Sequence, residues 1–136
     1  MVIMKPKLLS WNVNGLNEAE RHIRVRNLLR LWRAYIICLQ ESKLEFVSYT
    51  VVRNLWGCCH VDWCYSASRG AYGEILIMWD RRVVKKVEEC VAEFTIASSF
   101  RNIEDGFSWA FAGVYGPNFD YDRRYPCEEM TGLISW

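Results

Sequence analysis

The sequence predicts an α/β fold in which a parallel β-α-β unit leads into an antiparallel meander. Three observations predict it. Two apolar runs, Lys7 to Val13 and Tyr35 to Leu39, flank a segment of helical periodicity. Continuous apolar strands joined by a crossover helix are the pattern of a parallel pair covered on both faces. From His60 onward the apolar period drops to two, as in half-buried antiparallel strands. With 136 residues, 51% apolar side chains and seven tryptophans, the chain suffices for one domain with a sizeable core, placed over residues 5–136.

The first strand runs from Lys7 to Val13 and closes on Asn12, Asn14 and Gly15. An apolar strand ending in amides and a glycine delivers polar groups to a sheet rim. Helix one is expected from Glu18 to Arg33, with Asn17 as its N-cap and Glu20 at the capping-box spacing. Val25, Leu28, Leu29, Leu31 and Trp32 are read as its apolar face, and Ile23 falls off that stripe. Arg21, Arg24, Arg26 and Arg30 are read as a solvated face. The second strand, Tyr35 to Leu39, is followed by Gln40-Glu41. Asn12 and Glu41 should therefore close neighbouring strands at one edge, where open α/β sheets place their ligands.

Between Lys43 and Leu55 helical spacing competes with a β-branched run, and a short helix stopped at Asn54-Leu55-Trp56-Gly57 is favoured. Strands follow over His60 to Tyr65, Glu74 to Trp79, Arg82 to Glu88, Glu93 to Phe100 and Phe107 to Tyr115. In the last of these Phe107, Trp109, Phe111, Gly113 and Tyr115 share a face. Gly116-Pro117-Asn118 ends the meander, and a final helix should begin between Asp120 and Asp122, with Pro126 awkward inside it.

The formal net charge is +1 with both signs interspersed, which argues against a strongly basic nucleic-acid module but not against local grip on DNA. No apolar run reaches the length of a membrane span, and the N-terminus does not resemble a signal peptide. An intracellular location is expected, with six free cysteines. Cys58-Cys59-His60 and Cys64 lack a second ligand pair at a zinc-site spacing, and Val61, Trp63 and Tyr65 alternate as in a strand. A strand over His60 to Tyr65 is preferred to a zinc site.

Four motifs in order carry a family resemblance: Ser10-Trp11-Asn12-Val13-Asn14-Gly15-Leu16, Leu39-Gln40-Glu41-Ser42-Lys43, Gly73-Glu74-Ile75-Leu76-Ile77-Met78-Trp79 and Val114-Tyr115-Gly116-Pro117-Asn118. Together they resemble the endonuclease/exonuclease/phosphatase superfamily, most of all the N-terminal half of the apurinic-type endonuclease domain of plant non-LTR retrotransposons. The resemblance implies half of a four-layered α-β-β-α sandwich of the deoxyribonuclease kind, with a mixed sheet. It also implies Mg²⁺-dependent hydrolysis of phosphodiesters, here of DNA. By resemblance Asn12 and Tyr115 take catalytic positions at the phosphate, Asn12, Asn14 and Asn118 contact or support substrate, and Glu41 binds the metal. A phosphatase of the same superfamily is the alternative activity.

Departures from the family pattern qualify this reading. Asn14 stands where many apurinic-type members carry an aspartate, so a cation there has one charge partner fewer. Glu74 replaces a glycine, and Ser42 a threonine. The family's later Gly-Asp-Phe-Asn-like and Ser-Asp-His motifs find no match, and neither His22 nor His60 has their context. A catalytically incomplete fragment is therefore expected, with a non-catalytic remnant that binds nucleic acid or protein as a further alternative. Self-association through the aromatic face of the last strand is expected too. Without the resemblance, capping the turn is the plainer reading of Asn12 and Asn14, solvation that of Glu41, and packing that of Tyr115.

Overall fold

The computed structural model describes residues 7–13, 15–16, 19–44, 47–66, 75–91 and 95–114. The chain runs β1 (Leu8–Asn12), α1 (Ala19–Trp32), β2 (Ile36–Gln40), α2 (Tyr49–Trp56), β3 (Val61–Ser66), β4 (Ile75–Asp80), β5 (Val84–Val91), β6 (Thr95–Asn102) and β7 (Ser108–Val114). One sheet has the order β1-β2-β4-β3 and the other β5-β6-β7. This is an α/β arrangement matching part of a deoxyribonuclease-like sandwich. The expected helix after Asp120, the Asn17 cap, and Asn14, Tyr115 and Asn118 lie outside the described residues.

The β-α-β unit forms as its sequence requires. β1 and β2 pair in parallel from Leu8↔Ile36 to Asn12↔Gln40, and Ile36, Ile37, Cys38 and Leu39 are all fully buried. A run buried on both faces has no alternation to show. Over α1 the expected stripe is too wide. Val25 and Leu29 are buried, but Leu31 is 78% and Trp32 51% exposed. At 100° per residue Leu31 lies well away from the Val25–Leu29 line, and Trp32 is the last residue of the helix. α2 forms where the short helix is expected. Ser48 caps it by accepting from the Val51 amide at 3.3 Å, and Gly57 closes it at φ 82°, a conformation glycine adopts without penalty.

The meander is the larger correction. Its strands divide between two sheets, and β4 inserts between β2 and β3, antiparallel to both. Only β5, β6 and β7 form a consecutive meander. Every residue of β4 is buried, because it is central in its sheet and covered on both sides.

Two cores result. On the helix side Val25, Leu29, Ile37, Leu39, Val52, Leu55, Leu76 and Met78 pack together. Between the sheets Ile36, Cys38, Ile75, Ile77, Trp79, Ile96 and Phe100 do so, with Trp109 and Phe111 partly buried against them. Trp109 and Phe111 of β7 are thus applied to the other sheet, and Phe107, just before the strand, is 49% exposed. Trp79 meets Phe100 edge-on at 5.2 Å, and Phe100 stacks on Trp109 at 5.0 Å. At the other end of β7 a Cβ on Gly113 would stand 3.0 Å from Cys38 Sγ and 3.1 Å from Ile75 Cγ2, so the sheets meet there through backbone.

Candidate functional site

The parallel ladder does not stop where the strands do. Beyond Asn12↔Gln40, the Val13 amide donates to the Gln40 carbonyl at 3.0 Å, the Gly15 amide to that of Glu41 at 2.6 Å, and the Leu16 amide to that of Ser42 at 2.7 Å. The segments after β1 and β2 are therefore zipped together and share one rim. Asn12 is exposed at the end of β1, and Glu41 is half-buried one residue past β2. The convergence of these two strand ends is what the sequence predicts.

The β2 side of the rim has an unusual backbone. Glu41 and Lys43 both adopt left-handed conformations, at φ 55° and 53°, each costing roughly 1–2 kcal/mol for a residue with a Cβ. Between them Ser42 is fully buried, and its hydroxyl has no hydrogen-bond partner. Strain of this kind persists only where surroundings over-determine it, and it concentrates at functional sites. Here the surroundings are the zipped β1 segment and Tyr65, whose hydroxyl donates to the Leu44 carbonyl.

Two helix residues hold the β1 side. Arg21 donates to the carbonyls of Val13 at 3.1 Å and Gly15 at 3.3 Å. His22 Nε2 donates to the Leu16 carbonyl. Arg21 is consequently not one of a solvated row but a clamp on the rim loop. A cavity of about 240 Å³ opens beside it, lined by Trp11, Val13, Leu16, Arg21, Arg24 and Val25. Sequence reasoning missed Arg21 and His22 because helical periodicity reports which residues face the sheet, not which first-turn side chains reach back to the preceding loop. The signal was their place a few residues after the polar strand end.

As a cation site the rim offers oxygens: the Glu41 carboxylate and the neighbouring amide side chains of Asn12 and Gln40. An all-oxygen set suits a hard ion such as Mg²⁺, which keeps several waters, and does not suit zinc. One carboxylate among the described rim residues makes the fit correct in kind and weak in charge.

Neither histidine is placed as a general base at the rim. His22 is engaged with Leu16. His60 sits at the opposite end of the sheet, where its carbonyl accepts from the Arg81 amide at 3.0 Å. Asp80 at that end binds Arg82 through backbone and guanidinium, at 2.8 to 3.0 Å. Partial burial alone would raise its pKa, but these bonds and the arginine charge outweigh burial and hold it below the usual carboxylate range. Among the described residues no helix is long and apolar enough to cross a membrane.

Comparison with known proteins bears on the rim and the fold together. A Bacillus subtilis (strain 168) exodeoxyribonuclease is 37% identical over 67 residues, which is 49% of this chain and 25% of that protein. The human Nocturnin catalytic domain superposes with a TM-score of 0.72 at 14% identity, over 94% of this chain and 57% of that one. An endonuclease/exonuclease/phosphatase family protein from Bacteroides thetaiotaomicron gives 0.66 at 14% identity, over 92% and 58%. The chain thus spans somewhat over half the length of these structural relatives. Members of the family generally depend on a divalent metal. The sequence profile of the Endonuclease/Exonuclease/phosphatase family matches residues 9–132, nearly the whole chain, and the protein belongs to that family.

Proposed function

We propose that the rim formed by Asn12 and Glu41 is the phosphate- and metal-binding half of a Mg²⁺-dependent DNA hydrolase, of the apurinic-type endonuclease kind carried by plant non-LTR retrotransposons. The observation that supports this reading is the backbone zipper past β1 and β2, which brings the two strand ends to one rim. The likeness to a deoxyribonuclease over half of the chain supports DNA as the substrate. Glu41 would hold the cation, and Asn12 would orient the phosphate. Asn14, Tyr115 and Asn118 take their roles from the family motifs. A bound Mg²⁺ supplies charge against the developing negative charge on phosphorus. The chain's own contribution is to hold the rim rigid through Arg21, His22 and Tyr65.

On this reading the 136-residue chain binds DNA without turning it over. Water activation lacks a general base among the described rim residues, a loss of about 10²- to 10⁴-fold on its own. The test pairs a nicking assay on supercoiled and abasic DNA with a binding assay, each with and without Mg²⁺ and with Glu41→Ala. Expected are Mg²⁺-dependent, salt-sensitive binding that weakens in Glu41→Ala, and no nicking above that control. Nicking lost in Glu41→Ala would keep the rim and overturn the incompleteness. Binding indifferent to both Mg²⁺ and Glu41 would overturn the rim itself.

A further inference from the structure

At the end of the sheet opposite the rim, the turn joining α2 to β3 gathers three soft donors. The Cys58 and Cys59 sulfurs and a His60 ring nitrogen all lie within 4.8 Å of one another. Cys58 and His60 are half-buried and Cys59 is exposed, so an ion from solvent can reach them. The strand β3 begins only at Val61, which leaves these residues in a bend and free of strand alternation.

The bend is anchored through its backbone, not through these side chains. The Cys59 carbonyl accepts from Tyr49 Oη at 3.2 Å and from Arg81 Nη2 at 3.3 Å, and the His60 carbonyl from the Arg81 amide at 3.0 Å. Gly57, at φ 82°, ends α2 and turns the chain into the bend. Helix α2 and the β4–β5 turn therefore fix the main chain while the donor atoms converge.

We propose that Cys58, Cys59 and His60 form a binding site for zinc, or a soft ion of similar size, separate from the oxygen-lined rim. Thiolates about 2.3 Å from a tetrahedral Zn²⁺ stand about 3.8 Å apart, within reach of a 4.8 Å cluster by small side-chain rotations. Two thiolates and an imidazole supply three of four positions, and water takes the last, as in open zinc sites. Binding releases the two thiol protons, and two thiolates cancel the charge of a divalent ion. The adjacent Arg81 then faces a neutral complex. The site cannot serve the ion at Glu41, because β2 lies lengthwise between the two ends: Ile36 pairs with Trp79 near the bend, and Gln40 with Ile75 at the rim. A bound ion ties the end of α2 to the start of β3.

The test titrates the reduced full chain with Co²⁺ and then Zn²⁺. Expected is one Co²⁺ per chain with a thiolate-to-metal charge-transfer band in the near ultraviolet, displaced by Zn²⁺. Zn²⁺ should also raise the melting temperature. Cys59→Ser and His60→Ala should lose the band or shrink it sharply, and Cys90→Ser should keep it, with circular dichroism confirming that each variant folds. No thiolate band in the wild type overturns the proposal. So does a band that survives Cys58→Ser combined with Cys59→Ser, since other cysteines would then be the ligands.

Discussion

The two ends of the four-stranded sheet are built on opposite principles. At the rim the sheets meet through Gly113, whose missing side chain lets β7 lie against Cys38 and Ile75. There the strands run on into left-handed residues, and a buried hydroxyl is left without a partner. At the far end Trp79, Phe100 and Trp109 fill the space between the sheets. The polar groups there satisfy one another, as Trp109 Nε1 does with the buried Asn102 Oδ1 at 2.9 Å and Asp80 with Arg82. Stability is concentrated at the far end, and conformational strain at the rim. A well-packed far end is what makes such strain tolerable.

The sharpest way to break this contrast is at the rings. Phe100→Ala should cost about 3–5 kcal/mol, the usual range for emptying a buried aromatic position, read as a shift in the urea midpoint. A loss well under that range would mean the far end is not the main support. At the rim the opposite change is diagnostic. Gly113→Val should cost about 1–3 kcal/mol through overpacking. If the same melt shows no loss, the sheets are not in close contact there.

Titration sharpens the contrast further. Burial, with a smaller contribution from Cys64, pushes the Cys38 thiol up to about 12 from an ordinary 9.0, against a lowering hydrogen bond from Ser10. The folded pKa is the higher one, so the folded state holds its proton after the unfolded chain has released it. Stability is intact below pH 9.0 and falls as pH rises towards about 12. Cys38→Ala should flatten that alkaline slope, and an unchanged slope would place the cause elsewhere. At the far end the sign reverses. Asp80 has its pKa depressed by Arg82 in spite of burial, so its contribution is present above the ordinary carboxylate range and lost as pH falls through the folded value. With Arg82 mostly exposed, Asp80→Asn should cost only about 1 kcal/mol or less at neutral pH. The difference between variant and wild type should shrink in acid.

Much of the rim was legible in the sequence because it is local. An unalternating apolar run must be covered on both faces, so two such runs around a helix imply a parallel pair. Polar residues closing both runs then share an edge, which places Asn12 beside Gln40 and Glu41. Partner choice among the later strands was not legible. Period two says which side chains share a face, but it does not say that β4 slots between β2 and β3. The one sign was Ile75 to Trp79, which is apolar throughout and so marks a central strand, not a meander edge. The roles of Arg21 and His22 escape the sequence for a related reason, since they depend on the loop before the helix. The strand expected from His60 begins at Val61, so His60 joins Cys58 and Cys59 in the bend after the Gly57 turn.

The most direct test of the rim uses Mn²⁺ as a paramagnetic stand-in for Mg²⁺, read on the amide resonances of the folded chain. The expected result is selective broadening around Asn12 to Leu16 and Gln40 to Lys43, abolished in Glu41→Gln while the fold is retained. Broadening centred on another acidic group, such as Glu88 and Glu89 on β5, or left intact by Glu41→Gln, would contradict it.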